Sequence, residues 1–413
     1  MTGPVTDAAP LLIVGLNYAP EEVGIGPYTQ GLAEGLAARG HQVRVIAGQP
    51  YYPQWRRWPG FGRGWTKATE AGVSVTRCPH YVPANPGGFR RIVHLTSFAL
   101  SALYPALNAA LSRPKVVICV APALLSVPVA WIAARLAGAK LWLHIQDFEV
   151  EAALATGLVS GGTAARFARW LENRLLGIAD RVSTISPQMC AKLREKGVAA
   201  ERVVELRNWA NAPARDPANG AAYRAEWGLG EKRVALYSGN IANKQGIGIV
   251  IEAAHLLASR DDLVFVICGE GPNRARLEAQ AEGLANLQFH DLQPAARLGE
   301  LLALADVHLL PQIAGAADLV LPSKLANMLG SARPVVATSA PGTGLYAEVE
   351  GCGINTEPDD AVAFAAAISY LLDNAAEAES LGQTGSQRAA ERWSQDAIIA
   401  RLDEALGTVI VHG

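Results

Sequence analysis

The stretch Val234–Gly246, VALYSGNIANKQG, organises the reading of this chain. Its apolar start, Val234 to Tyr237, predicts a buried strand. Ser238-Gly239-Asn240 follows as a turn with little side-chain bulk. Lys244 comes next, and then a helical pattern led by Ile249, Val250 and Ala253. A glycine turn lets backbone N–H groups approach a ligand closely. A helix start adds unpaired donors and the positive end of a dipole. With a lysine beside them, these features suit a diphosphate. The competing reading is an ordinary strand–helix connection with a surface lysine, so the rest of the chain has to decide.

Strand–helix alternation extends in both directions. Upstream, Leu11–Leu16, Val43–Ala47, Val116–Val120, Leu141–Ile145 and Val182–Ile185 are predicted strands, with a helix from Tyr28 to Arg39 closed by Gly40. Downstream, Val264–Cys268, Leu287–Phe289, Val307–Leu310 and Val335–Ala337 continue the second series. Between them RNWANAPARDPAN, residues 207–219, has a linker composition. The expectation is an α/β protein of two doubly wound, Rossmann-like domains, residues 1–207 and 208–388. A helical tail, 389–413, is expected to pack back on the first domain. Open α/β sheets bind ligands beyond the carboxyl ends of their strands, so two such domains facing each other predict a cleft.

Composition agrees with compact domains. The 413 residues are 50% hydrophobic and 18% charged, with a net charge of −2, which argues against a nucleic-acid binder. Cys78, Cys119, Cys190, Cys268 and Cys352 lie far apart without metal spacing and read as reduced core thiols of a cytosolic protein. The opening MTGPVTDAAP lacks a basic region and a long apolar core, so no signal peptide is expected. Ile92–Leu111 and Val116–Leu136 are apolar but interrupted, by His94, Pro105 and Asn108 in the first and by Pro122, Pro128 and Arg135 in the second. They predict a buried helix, and a strand followed by a helix, rather than membrane spans.

In the first half, Gly24 and Gly26 precede a helix without the G-x-G-x-x-G dinucleotide spacing. They suit a loop whose amides meet an anionic or sugar ligand; a loop that needs positive φ explains them equally well. His144 and Asp147 end a buried strand, where they could orient a sugar or stabilise charge. Against that stands a histidine satisfied by its neighbours. Asp147 and Glu149 also offer an acidic pair for a divalent metal, ranked below the cationic route. QWRRWPGFGRGWTK, residues 54–67, gathers three tryptophans, one phenylalanine and four cations. Trp55, Arg56, Arg57 and Trp58 therefore suit a membrane interface or a sugar acceptor, or else a loop folded over its own aromatics.

In the second half, Gly269-Glu270-Gly271-Pro272 is a turn that could pass close to a base or ribose, or a plain tight turn. Gly315, Ala316 and Asp318 lie in a loop after a strand, and Pro322-Ser323-Lys324 opens a helix with Ser323 as cap. Lys324 adds a second cation, and Asn327, one turn on, could bond a ribose.

Taken together, NYAPEEVGIGPYT, HQVRVIAGQPYYPQW, LHIQDFEVEA, STIS, RNW, YSGNIANKQG, GEGP and AADLVLPSKLANML span nearly the whole chain. In this order they resemble the retaining glycosyltransferases of family 4, which have the GT-B architecture. Within that family the likeness is to bacterial exopolysaccharide enzymes of the colanic-acid (WcaI-like) type. The resemblance implies that Gly24 and Gly26 lie near donor phosphates and acceptor, and that His144 contacts the donor sugar. Lys244 matches the second member of the family's basic pair; Asn240 stands where the first, usually arginine, is expected. Asn327 aligns with the second of two family glutamates. The first has no clean match, and Asp318 or the Gly315 and Ala316 amides are its substitutes.

The resemblance further implies a nucleotide-diphosphate-sugar donor and a lipid-diphosphate-linked or glycan acceptor. It implies no metal or other cofactor, and a cytoplasmic enzyme peripheral on the inner membrane face. His144, Lys244 and Asp147 are the expected catalytic set, with donors at helix starts stabilising the departing diphosphate. A nucleotide-sugar epimerase of the same shape and a non-catalytic two-lobed binding protein are the competing readings. A dehydrogenase is disfavoured without the dinucleotide fingerprint.

Overall fold

A computed structural model describes residues 8–21, 24–84, 87–151, 162–210, 220–241, 245–313, 321–322 and 324–411. The chain forms two compact units, one of residues 1–208 with 395–413 and one of residues 209–394.

The first unit is built on eight strands. They are β1 (Pro10–Gly15), β2 (Gln42–Gly48), β3 (Thr66–Glu70), β4 (Val73–Cys78), β5 (Val116–Ala121), β6 (Lys140–Ile145), β7 (Arg181–Thr184) and β8 (Val203–Glu205). Their order is β3-β4-β2-β1-β5-β6-β7-β8, parallel except that β3 runs antiparallel to β4. Ile13 sits opposite Val45 on one side and Ile118 on the other. The β5 sequence VVICVA is buried at every residue, the mark of a strand covered on both faces. Its helices are α1 (Gly26–Ala38), α2 (Gly88–Ala110), α3 (Val127–Ala137), α4 (Gly162–Ile178) and α5 (Pro187–Glu195).

The second unit has six strands, all parallel. They are β9 (Arg233–Ser238), β10 (Leu263–Cys268), β11 (Leu287–His290), β12 (Val307–Leu310), β13 (Val335–Thr338) and β14 (Gly353–Thr356), in the order β11-β10-β9-β12-β13-β14. Its helices are α6 (Ala221–Glu226), α7 (Gly248–Leu256), α8 (Arg274–Gln280), α9 (Leu298–Leu304), α10 (Lys324–Gly330), α11 (Gly344–Val349), α12 (Ala361–Asp373) and α13 (Ala375–Trp393). In both sheets the order reverses beside a central strand, β1 next to β5 and β9 next to β12. Loops part there and leave a crevice at the carboxyl ends.

Two expectations change. The tail does not begin at Ala389: residues 389–393 complete α13, and the chain returns to the first unit after Ser394 as α14 (Gln395–Val411). The helix expected to be buried at Ile92–Leu111 is α2, which buries His94, Phe98, Ala102 and Ala106 but exposes large apolar residues on its other side. Strands β3, β4, β8 and β14 escape the periodicity, because β3 (TKATE) is an exposed edge and β8 and β14 are short.

Helix α14 is held by chemistry at the start of the first sheet. The Ala9 N–H donates to His41 Nδ1 at 3.2 Å, so the ring donates from Nε2 to Asp403 Oδ1 at 2.9 Å. Both side chains are buried. Arg39 pairs with Asp396 at 2.8 Å, and Ile399 lies where a side chain on Gly35 would stand. Asp403→Ala strands the imidazole N–H in the interior, and is expected to destabilise the chain by about 3 kcal/mol. A urea midpoint unchanged from wild type would contradict this anchoring.

Candidate functional site

At the carboxyl end of β1 the loop from Leu16 to Ile25 leads into α1. Gly24 has φ 74°, and a Cβ there would come within 3.0 Å of the Tyr52 ring. A Cβ on Gly26 would lie 2.9 Å from the Glu21 carbonyl oxygen. Both glycines therefore have a packing reason to be glycine, whatever ligand the loop meets. The residue that pins the loop is Glu21, which sequence reasoning passes over. Its carboxylate accepts the Tyr51 and Tyr52 N–H groups, each at 2.9 Å, and the Asn17 amide at 2.8 Å. Burial pushes its pKa up, against the pull of those hydrogen bonds. An acid inside a glycine-rich strand–helix turn is the signal that could have found it.

The 54–58 segment folds on itself. Trp55 lies half-buried against Tyr51, ring centroids 5.2 Å apart, and 5.3 Å from His94. Trp58 donates its indole N–H to Gln54 Oε1 at 2.9 Å, and Arg57 is half-buried. Of the four residues expected to face an acceptor or membrane, Arg56 is the one left exposed. The aromatics are spent on the loop's own packing.

His144 is buried near the end of β6, with both ring nitrogens engaged. Nδ1 is 2.9 Å from Ser183 Oγ, which also accepts the Trp142 indole N–H at 2.8 Å. Nε2 is 3.0 Å from the Gln146 amide, which in turn makes a reciprocal pair with Asn208, at 2.9 and 2.8 Å. Burial pulls the His144 pKa from 6.5 to about 4, so the ring is neutral at physiological pH. Asp147, three residues on, is exposed. Glu149 accepts the Leu124 N–H at 3.1 Å, its pKa raised to about 7 by burial. Glu149 is thus engaged in a structural hydrogen bond.

In the second unit two turns close on each other. The Gly239 N–H donates to Cys268 O at 2.9 Å, and the Ile241 N–H to Glu270 O at 2.8 Å. Gly239 and Gly269 have φ of 137° and 156°. A Cβ on Gly269 would overlap the Gly239 carbonyl, and one on Gly271 would overlap that of Ile241. Glycine is required at both because backbone meets backbone. The Tyr237 hydroxyl donates to Asn240 O at 2.6 Å, and Lys324 Nζ stands 3.9 Å from the centre of the Tyr237 ring. Gly239, Asn240 and Lys324 therefore come together at the end of β9, with Asn327 in the first turn of the same α10. Glu270 pairs with Arg274 at 2.6 Å; Arg274 also binds Glu278 and Asp291, at 2.8 and 2.7 Å. Lys244, Gly315, Ala316, Asp318 and Ser323 lie outside the described residues.

Two doubly wound parallel sheets with crevices at their carboxyl ends define the GT-B class of fold. A family model for a glycosyl transferase 4-like domain matches residues 23–209, and one for glycosyl transferases group 1 matches residues 232–374. The chain is 43% identical over 375 residues to the protein of Escherichia coli (strain K12) described as a colanic acid biosynthesis glycosyl transferase, WcaI. That match covers 88% of this chain and 92% of the other. Among solved structures, sucrose-phosphate synthase from Thermosynechococcus elongatus superposes with a TM-score of 0.71 at 20% identity, over 98% of this chain and all of that one. Anabaena HepE in complex with UDP gives 0.67 at 16% identity, over 96% of this chain and 99% of that one. The chain belongs to glycosyltransferase family 4, and it is a transferase of sugars.

The pH dependence of His144 has a definite sign. Its folded-state pKa lies below the unfolded value, so the unfolded chain binds the extra proton between pH 6.5 and about 4. In His144→Gln that proton uptake is gone. The stability advantage of wild type over this variant is expected to shrink as pH falls through that window, read from paired urea titrations. A gap independent of pH would show that the ring is not buried in its neutral form.

Proposed function

We propose that the protein moves a sugar from a GDP- or UDP-linked donor to a lipid-diphosphate-linked glycan in bacterial exopolysaccharide synthesis. Configuration is retained at the anomeric carbon, no metal takes part, and the enzyme works as a peripheral protein on the inner membrane face. The observation that carries the donor half is the meeting of Gly239, Asn240 and Lys324 at the end of β9, in a domain matching the group 1 glycosyl transferases. The kinship with WcaI supports the polysaccharide context.

In this reading the negative charge that grows on the departing diphosphate is met by Lys324 and Lys244, with Asn240 and the turn amides as neutral donors. Preorganised donors of this kind contribute about 10²–10³ in rate each. Asn327 serves the ribose, and Glu270 lies beside the base-side turn. Ser323, Gly315, Ala316 and Asp318 are assigned to the donor by the family pattern alone. His144, neutral and engaged at both nitrogens, takes a positioning part rather than proton transfer, with Asp147 exposed beside it.

Lys324→Ala and Lys244→Ala are each expected to lower kcat about a hundredfold or more at unchanged thermal midpoint. Transfer at near the wild-type rate by both would sink the diphosphate assignment. A thermal-shift comparison of UDP and GDP should show one clearly stabilising the native state. Transfer undiminished by EDTA is the expected outcome; loss of activity restored by a divalent cation would overturn metal independence. Product analysis with and without acceptor separates transfer from epimerisation, and an absence of any turnover favours a binding protein.

A further inference from the structure

We infer that the outer face of α2, α3 and α4 is a docking surface for an anionic lipid bilayer. The inference gives the membrane part of the preceding proposal a specific surface and rests on that reading only for its biological setting. The side of α2 away from the core carries Phe89, Ile92, Leu100, Tyr104, Leu107 and Leu111 in one exposed stripe at helical spacing. Leu100 and Tyr104 are each 70% exposed. Such a stripe runs for about 34 Å along a helix of this length. Helix α3 packs beside α2 and α4 beside α3, and side chains of all three join one core cluster on the same side of the sheet. Across α3 from α2, α4 exposes Phe167 and Trp170, stacked with ring centroids 5.7 Å apart.

Charge selects the occupant. The three helices carry six exposed arginines, Arg90, Arg91, Arg135, Arg166, Arg169 and Arg174, in a chain whose net charge is −2. Their one acid, Glu172, is buried and paired with Lys196 at 2.6 Å. An apolar stripe rimmed by cations alone fits an interface of acyl chains and anionic headgroups. A second copy of the same face would set arginines against arginines. Spanning is disfavoured because the inner side of α2 belongs to the domain core, with His94 Nδ1 bonded to the Tyr81 carbonyl. The helix lies along the surface instead of crossing it.

The test uses the full chain and vesicles of phosphatidylglycerol in phosphatidylcholine, against phosphatidylcholine alone, by co-sedimentation. Wild type is expected to bind the anionic vesicles. Leu100→Glu with Tyr104→Glu should weaken that binding about tenfold or more, since two large apolar side chains no longer enter the interface. Replacing Arg166, Arg169 and Arg174 by Ser should weaken it by about fivefold per arginine, and added salt should act in the same direction. Both variants should keep the wild-type thermal midpoint and nucleotide-induced shift. Wild type that ignores anionic vesicles, or a double Glu variant that binds as well as wild type, overturns the inference. So does a double Glu variant that changes the oligomeric state but not vesicle binding. A lost nucleotide shift with vesicle binding intact would count against the donor reading and leave this surface standing.

Discussion

A parallel strand buried on both faces has no room for an unpaired polar side chain, and that constraint places the chemistry of this protein. β5 and β10 are buried at every residue, so neither can carry a charged group along its length. Polar residues are driven to the carboxyl ends, where the chain leaves the ladder. Backbone groups there still need partners. In the second unit they find them in each other: the turns after β9 and β10 bond directly, and glycine at 239, 269 and 271 lets them approach. Among the described residues, the cation at this end of β9 is Lys324, standing over the Tyr237 ring.

The first unit solves the equivalent problem with side chains. Glu21 satisfies two backbone N–H groups of the neighbouring loop, and His144 is closed into a network with Trp142, Ser183, Gln146 and Asn208. An unmatched partner in such a setting costs about 1–3 kcal/mol, so each member holds the others. Asn208 is the last residue of the first stretch of this unit, and the chain passes into the second unit at Trp209. The network that fixes His144 therefore also fixes the point from which the second unit departs.

Much of this was legible in the sequence because continuous apolar runs mark doubly covered strands. Both sheets, the break near Asn208 and the strand-end position of His144 follow from that pattern. Three of the four missed strands, β3, β8 and β14, lie at sheet edges, where the apolar signal fades; β4 lies inside the first sheet, between β3 and β2, but its sequence VSVTRC alternates polar with apolar residues and forms no continuous apolar run. The partners of His144 were not legible: Ser183 and Asn208 stand 39 and 62 residues from the residues they bind. The tryptophans of the 54–58 segment misled for a related reason. Composition shows that aromatics and cations are present, but not that Tyr51 and His94 lie against the Trp55 ring or that Trp58 bonds Gln54.

Charge along the edge of the second sheet is unevenly divided. On the β10–β11 side, Arg274 is shared among Glu270, Glu278 and Asp291, so the carboxylates outnumber the cation that binds them. On the β9 side, Asn240 is neutral and Lys324 supplies the positive charge beside the Gly239 turn. An anion reaching this edge is repelled at one end and attracted at the other. At close range and with partial exclusion of water, such a gradient is worth several times its value in bulk solvent. Among the described residues the positive charge beside Asn240 is that of Lys324, over an aromatic ring whose face favours a cation.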